Sequence, residues 1–127
     1  MQSDQRFFPY RLDQRWALMF KALGVDESDG VHITDDGQLL ATYGRVRVET
    51  PLSNVDHTLV TENHRWYTAV GLRLEGGSDG ITFGTNHTAG LAITFARKVP
   101  SVIGPRDHSS LWVSVAEPKQ LAAFIGK

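Results

Sequence analysis

The 127-residue sequence contains no cysteine and carries almost no net charge. Without cysteine, disulfide scaffolds, thiolate zinc sites and cysteine nucleophiles are excluded. The 13 Lys and Arg residues nearly balance the 14 Asp and Glu residues, which gives a formal net charge of −1. A protein dedicated to nucleic acid would concentrate cations to neutralise phosphates. We therefore expect no nucleic-acid partner.

Long apolar runs are also missing. No stretch approaches the roughly 20 apolar residues that a membrane-spanning helix needs. The polar start from Met1 to Arg6 does not look like a signal peptide. Together with the lack of cysteine, which suits a reducing compartment, this predicts a cytoplasmic protein. The length predicts one domain over residues 1–127.

The residues that are present predict a helix near the start of the chain. Asp13 can cap its N-terminus, and the apolar residues Trp16, Met19, Phe20 and Leu23 recur at helical spacing. Gly24 can end the helix in a left-handed turn. The prediction is an N-terminal helix over about residues 13–23.

From residue 30 the apolar period changes from 3.6 to 2. Short alternating segments separated by Gly, Asp and Pro turns continue to about residue 116. The prediction is a mainly β core of seven to eight strands over about 30–116, forming a curled antiparallel sheet or barrel. A long connection is expected from Ala96 to Ser110.

A second helix is predicted over about residues 118–125. Pro118 suits its first turn, and Leu121, Phe124 and Ile125 form an apolar stripe. We expect this helix to cap the β core and to bury both Leu121 and Phe124.

Three short segments carry a family resemblance: the turn Asp36-Gly37, the strand and break from Arg47 to Val55, and the ending from Val113 to Pro118. In this order they resemble the small, largely uncharacterised bacterial pleckstrin-homology-like (PH-like) domain proteins, over about residues 30–125. The resemblance implies a PH-like sheet with a C-terminal helix packed on it. Pleckstrin-homology domains that bind phosphoinositides have a basic loop between their first two strands. Here that loop is Asp35-Asp36-Gly37, and its carboxylates would repel a phosphorylated headgroup, so we expect no phosphoinositide membrane binding.

Several patterns resemble catalytic or metal sites without their required context. Gly76-Gly77-Ser78-Asp79-Gly80 matches the hydrolase nucleophile elbow, but strand residues follow it where a helix is required. Asp107-His108-Ser109-Ser110 holds the residue types of a triad, yet adjacent residues do not align in series. His57, Glu62 and His64 lack a metal-binding spacing. We expect no enzyme activity, no cofactor and no metal.

The segment His64-Arg65-Trp66-Tyr67, with Arg73 after it, is the predicted interaction surface. Trp, Tyr and Arg are the side chains that most often anchor interfaces, although the same aromatic rings also pack in cores. The predicted function is a non-enzymatic interaction module that binds a protein or a second copy of itself. The alternative is a small β-barrel that holds an apolar ligand or cofactor in its interior.

Overall fold

The computed structural model describes residues 6–62, 71–74, 79–86 and 88–127. The described residues form nine strands and two α-helices. In chain order these are β1 (Arg6–Pro9), α1 (Ala17–Leu23), β2 (Gly30–Ile33), β3 (Gln38–Tyr43), β4 (Val46–Pro51), β5 (Val55–Glu62), β6 (Gly71–Leu74), β7 (Ile81–Gly84), β8 (Ala89–Val99), β9 (His108–Val113) and α2 (Pro118–Ile125). One-turn 3-10 helices precede α1 (Gln14–Trp16) and β5 (Leu52–Asn54).

The strands lie in two sheets. The first has the order β1-β2-β3-β4 and is antiparallel throughout. The second has the order β5-β8-β9-β7-β6. Its β7 and β9 are parallel, so the prediction of a wholly antiparallel sheet is wrong for that pair. Because the described strands form two separate ladders, they do not close into one barrel.

Two predicted boundaries need correction. The β structure begins at Arg6 rather than near residue 30, because Phe7 and Phe8 pair with β2 and add a strand before the first helix. This raises the strand number above the predicted seven to eight. The connection after β8 is also shorter than predicted, since β8 continues to Val99 and β9 starts at His108. The alternation of apolar and polar residues that predicts a strand is lost near the end of β8, where Ala96, Arg97 and Lys98 are all exposed.

A polar seam joins the two sheets. Tyr10 forms a β-bridge with Val115, and the Ala116 amide donates to the Pro9 carbonyl at 2.8 Å. The buried Asn86 side chain donates to the Arg11 carbonyl at 3.0 Å and to the Ser114 carbonyl at 3.2 Å. Asn86, the first residue of a glycosylation sequon, is therefore a buried part of the fold and not an accessible acceptor.

Helix α2 occupies its predicted position, and its Pro118 lies in the first turn. The helix packs against β5 and β8 of the second sheet and buries Leu121 and Ile125, but Phe124 is 40% exposed, so the predicted burial of Phe124 is wrong. Residues 121 and 125 are one turn apart and share a face, whereas Phe124 lies at the margin of that face. Among the described helices, none has the length and apolar character to cross a membrane.

Candidate functional site

The predicted interaction surface lies mostly outside the described residues, since these exclude His64, Arg65, Trp66 and Tyr67. Arg73 is described, in β6, where it is half-buried and pairs in register with Thr82 of β7. The strands on either side of this segment, β5 and β6, form opposite edges of the second sheet. The surface therefore stays a prediction.

His108, from the Asp-His-Ser-Ser pattern, anchors the loop between β8 and β9. Its ring is fully buried, and Nδ1 lies 2.8 Å from the carbonyl oxygen of Asp79. Nε2 accepts a hydrogen bond from the Val102 amide at 3.2 Å. Because a carbonyl can only accept and an amide can only donate, Nδ1 is the donor and Nε2 the acceptor of these two hydrogen bonds. Both ring nitrogens are thus occupied, and neither can act as a base towards a serine.

The Asp79 side chain contacts both strands that flank this loop, β8 and β9. Its carboxylate accepts hydrogen bonds from the Ser109 hydroxyl and, at 3.0 Å, from the Ser109 amide, and it lies 2.9 Å from the Lys98 ammonium. The hydrogen bonds from Ser109 and from Lys98 hold the pKa of the Asp79 carboxyl well below its ordinary value. Residues 81–84 after it form strand β7, so the helix that a nucleophile elbow requires is not there.

The candidate metal ligands do not converge. His57 lies 2.8 Å from the neighbouring Asp56, and both side chains are exposed. A β-bulge occurs at Asp56, but it precedes His57 and leaves His57 and Glu62 on opposite faces of β5. Within the described ranges, no three His, Asp or Glu side chains are close enough to hold a metal ion. His64 lies outside those ranges.

The space between the sheets is filled by large side chains. The Tyr43 ring stacks on Phe83 with centroids 5.3 Å apart, and the centroid of the Tyr10 ring lies 6.0 Å from that of Tyr43. The Tyr43 hydroxyl donates to the Gly84 carbonyl at 2.7 Å, and that of Tyr10 donates to the Thr42 carbonyl at 2.6 Å. Burial raises the pKa of both phenols above the ordinary value, so they stay neutral donors.

An open groove of about 610 Å³ lies along α1, and we call it the α1 groove. Its buried apolar residues, Phe20 and Val25, form the floor, and its exposed charged residues, Lys21, Asp26 and Glu27, form the edge. It is lined by Leu12, Asp13, Gln14, Ala17, Phe20, Lys21, Gly24, Val25, Asp26, Glu27 and Ser28.

Local hydrogen bonds fix both ends of this groove. At one end the Asp13 carboxylate caps the 3-10 helix by accepting from the Arg15 amide at 3.1 Å. At the other end Gly24 adopts a left-handed conformation (φ 78°) that ends α1 and lets the Val25 amide donate to the Phe20 carbonyl at 2.9 Å. The turn after it is closed by Asp26, whose carboxylate accepts from the Ser28 amide at 2.8 Å.

The α1 groove was not predicted from the sequence, although one signal was present. Two adjacent carboxylates, Asp26 and Glu27, follow the Gly24-Val25 stop of the predicted helix. The hydroxyl and the amide of Ser28 both donate hydrogen bonds to the Asp26 carboxylate. These bonds, that of the hydroxyl most of all, lower the pKa of Asp26, which therefore stays ionised.

A second groove, of about 450 Å³, lies between β1 and α2. Phe7 and Phe124 are both 40% exposed beside it. Phe124 meets the Phe8 ring edge-on at 5.8 Å, and the Arg6 guanidinium lies 5.6 Å from the centre of the Phe124 ring. The exposed rings are thus half covered by contacts within the chain, and Arg6 and Glu117 at the rim carry opposite charges.

Comparison of the chain with family models, with curated proteins and with solved structures gives no match in any of the three. The function of the chain is therefore inferred from the chemistry of its own surfaces.

Proposed function

We propose that this chain is a non-enzymatic interaction module and that the α1 groove is its contact surface. The observation that carries the proposal is the groove itself, a cavity of about 610 Å³ with an apolar floor and charged edges. Association sites are commonly built in this way, with an apolar centre and a polar rim.

The placement of the reactive side chains supports a non-enzymatic role. Both ring nitrogens of His108 are bound to backbone groups, and the Asp79 carboxylate is held by Ser109 and Lys98. Neither lines the α1 groove. The charged side chains of the groove lie at its edge. A general acid or base, in contrast, has to be positioned against a substrate atom.

We also propose that the arrangement is PH-like in the broad sense of two curled sheets capped by a C-terminal helix. The turn Glu117-Pro118 leads into α2, which packs against β5 and β8. The chain departs from this plan in its added β1 and α1 and in the parallel pairing of β7 with β9. The exposed Asp35 and Asp36 between β2 and β3 support the absence of phosphoinositide binding.

The alternative function, an apolar ligand held in the interior, has less support. Phe83, Tyr43 and Leu91 are at most 1% exposed, and Phe95 is 5% exposed. Closely packed inward side chains leave little room for a ligand, whereas binding pockets usually exceed about 300 Å³.

Photo-crosslinking tests the proposed contact surface. Ala17 lines the groove, while Ala22 is exposed on the same helix outside it. We expect p-benzoylphenylalanine at position 17 to crosslink one discrete partner in the cells that make the protein, and the same group at position 22 not to do so. An adduct between two copies of the chain would identify self-association. Equal labelling from both positions, or no adduct from position 17, would overturn the proposal.

A further inference from the structure

We infer that the α1 groove binds a basic, amphipathic segment of a partner protein, with apolar side chains on its floor and Lys or Arg side chains at its acidic edge. This inference rests on the proposed function and names the class of partner.

The floor sets the apolar half of this specificity. Phe20 and Val25 are each 5% exposed, and they form the base between the start of α1 and the turn that follows it. Ala17 is exposed, and its small side chain leaves the groove open on that side. A cavity of about 610 Å³ falls within the range of about 300–1,000 Å³ that holds several apolar side chains or a drug-sized ligand.

The charged residues of the lining set the other half of the specificity. The lining contains three carboxylates, Asp13, Asp26 and Glu27, and one ammonium, Lys21. Asp13 is paired with Arg15 at 2.7 Å. Asp26 and Glu27 have no ion-pair partner among the described residues. With the Asp13–Arg15 pair neutral, two carboxylates face one ammonium in the lining, and this excess of one negative charge favours a cationic partner over nucleic acid or an anionic membrane.

The acidic turn is also rigid in a way that suits recognition of a peptide. Asp29 is buried, and its carboxylate accepts from the Asp26 amide at 3.0 Å, while the Asp29 amide donates to the Asp26 carbonyl at 3.0 Å. Asp26 and Glu27 are thereby held on the outside of a closed turn, and less entropy is lost when a cationic side chain binds them.

Fluorescence anisotropy with two labelled peptides tests this inference. The first probe is a short amphipathic helical peptide of leucine and lysine, and the second replaces its lysines by glutamates. We expect saturable binding of the leucine–lysine peptide at physiological salt, weaker binding at higher salt, and no binding of the leucine–glutamate peptide. Equal binding of both peptides would contradict the charge argument.

Two matched pairs of variants locate the binding. Glu27→Lys is compared with Glu49→Lys, since Glu49 is an exposed carboxylate on β4, away from the groove. We expect Glu27→Lys to weaken binding of the leucine–lysine peptide about tenfold and Glu49→Lys to change it less than about twofold. Ala17→Phe, which fills the groove, should also weaken binding, while Ala22→Phe should not. Thermal melts confirm that each variant is folded. Equal effects within either pair would overturn the inference.

The crosslinking experiment separates this inference from the proposed function. If Glu27→Lys leaves the adduct at position 17 unchanged, the groove still binds a partner but not through the acidic edge, and only the inference fails. If position 17 gives no adduct in the unaltered chain, the proposed function fails as well.

Discussion

The two α-helices in the described part of the chain have similar lengths and similar ends but different relations to the sheets. Helix α1 ends at Gly24 and α2 at Gly126, with nearly equal left-handed φ values of 78° and 79°. Within its bounds, however, α1 buries only Phe20, whereas α2 buries both Leu121 and Ile125, one turn apart. A helix with two buried positions on one face has a fixed orientation on the sheet.

The attachments beyond the helices show the same difference. After α2, the Lys127 carbonyl accepts from the Thr58 amide at 3.2 Å and from its hydroxyl at 2.7 Å, which fastens this end to β5. Beside α1 lies the open groove with Asp26 and Glu27 at its edge. The comparison teaches that similar helices in one small fold can serve different purposes. Helix α2 completes the core, and α1 borders the groove that we propose as a contact surface.

The largest effect on stability is expected from Leu121→Ala in α2. Leu121 is fully buried, so its truncation removes apolar contacts and leaves a cavity that the sheets cannot fill. We expect the free energy of unfolding to fall by about 4 kcal/mol, measured by urea titration. A loss below about 1 kcal/mol would mean that α2 does not complete the core.

A smaller but still large effect is expected from Phe20→Ala in α1. Phe20 is 5% exposed and lies at the base of the α1 groove. The space left by its ring would open to water, so the cost should be near the lower end for this substitution, about 3 kcal/mol. The same variant should weaken binding of the leucine–lysine peptide under conditions where it is folded. A cost above that of Leu121→Ala would reverse the comparison of the helices.

Phe124→Ala, on the margin of α2, should cost about 1 kcal/mol, well below the 3–5 kcal/mol expected of a buried phenylalanine. The side chain is 40% exposed, and its contacts are the edge of Phe8 and the guanidinium of Arg6. Phe7→Ala is a matched control, because Phe7 is equally exposed beside the same groove. A loss of 3 kcal/mol or more would show that Phe124 is covered in solution.

Local signals in the sequence predict most of the secondary structure. The spacing of Phe20 and Leu23 with Gly24, and the order Pro118 to Ile125, give both helices, because capping and the 3.6 period act within a few residues. Pairing between strands that are distant in the sequence is harder to predict. The bridge from Tyr10 to Val115 and the parallel pairing of β7 with β9 join distant parts of the chain. No local pattern encodes these contacts.

The candidate site was harder to predict for the same reason. The α1 groove forms only when the turn from Val25 to Ser28 folds back beside α1, and neither segment alone has an unusual composition. Sequence analysis instead favoured the aromatic segment from His64 to Tyr67, because aromatic and arginine side chains are visible signals of interfaces. Acidic residues after a helix are a weaker signal, which gains meaning only beside an apolar floor.

The smallest effect is expected from Leu18→Ala, which applies the Leu121 substitution to the outer face of α1. Leu18 is 86% exposed, so its truncation removes few contacts, and alanine is at least as good a helix former as leucine. The free energy of unfolding should change by no more than about 0.5 kcal/mol. With Leu121→Ala measured in the same buffer, the two leucines then differ by about 3–4 kcal/mol. A cost above about 1.5 kcal/mol for Leu18→Ala would mean that this face of α1 is covered in solution, either by a second copy or within the chain. Because dimers dissociate on dilution, that cost would then depend on protein concentration, whereas a cost that arises within one chain would not.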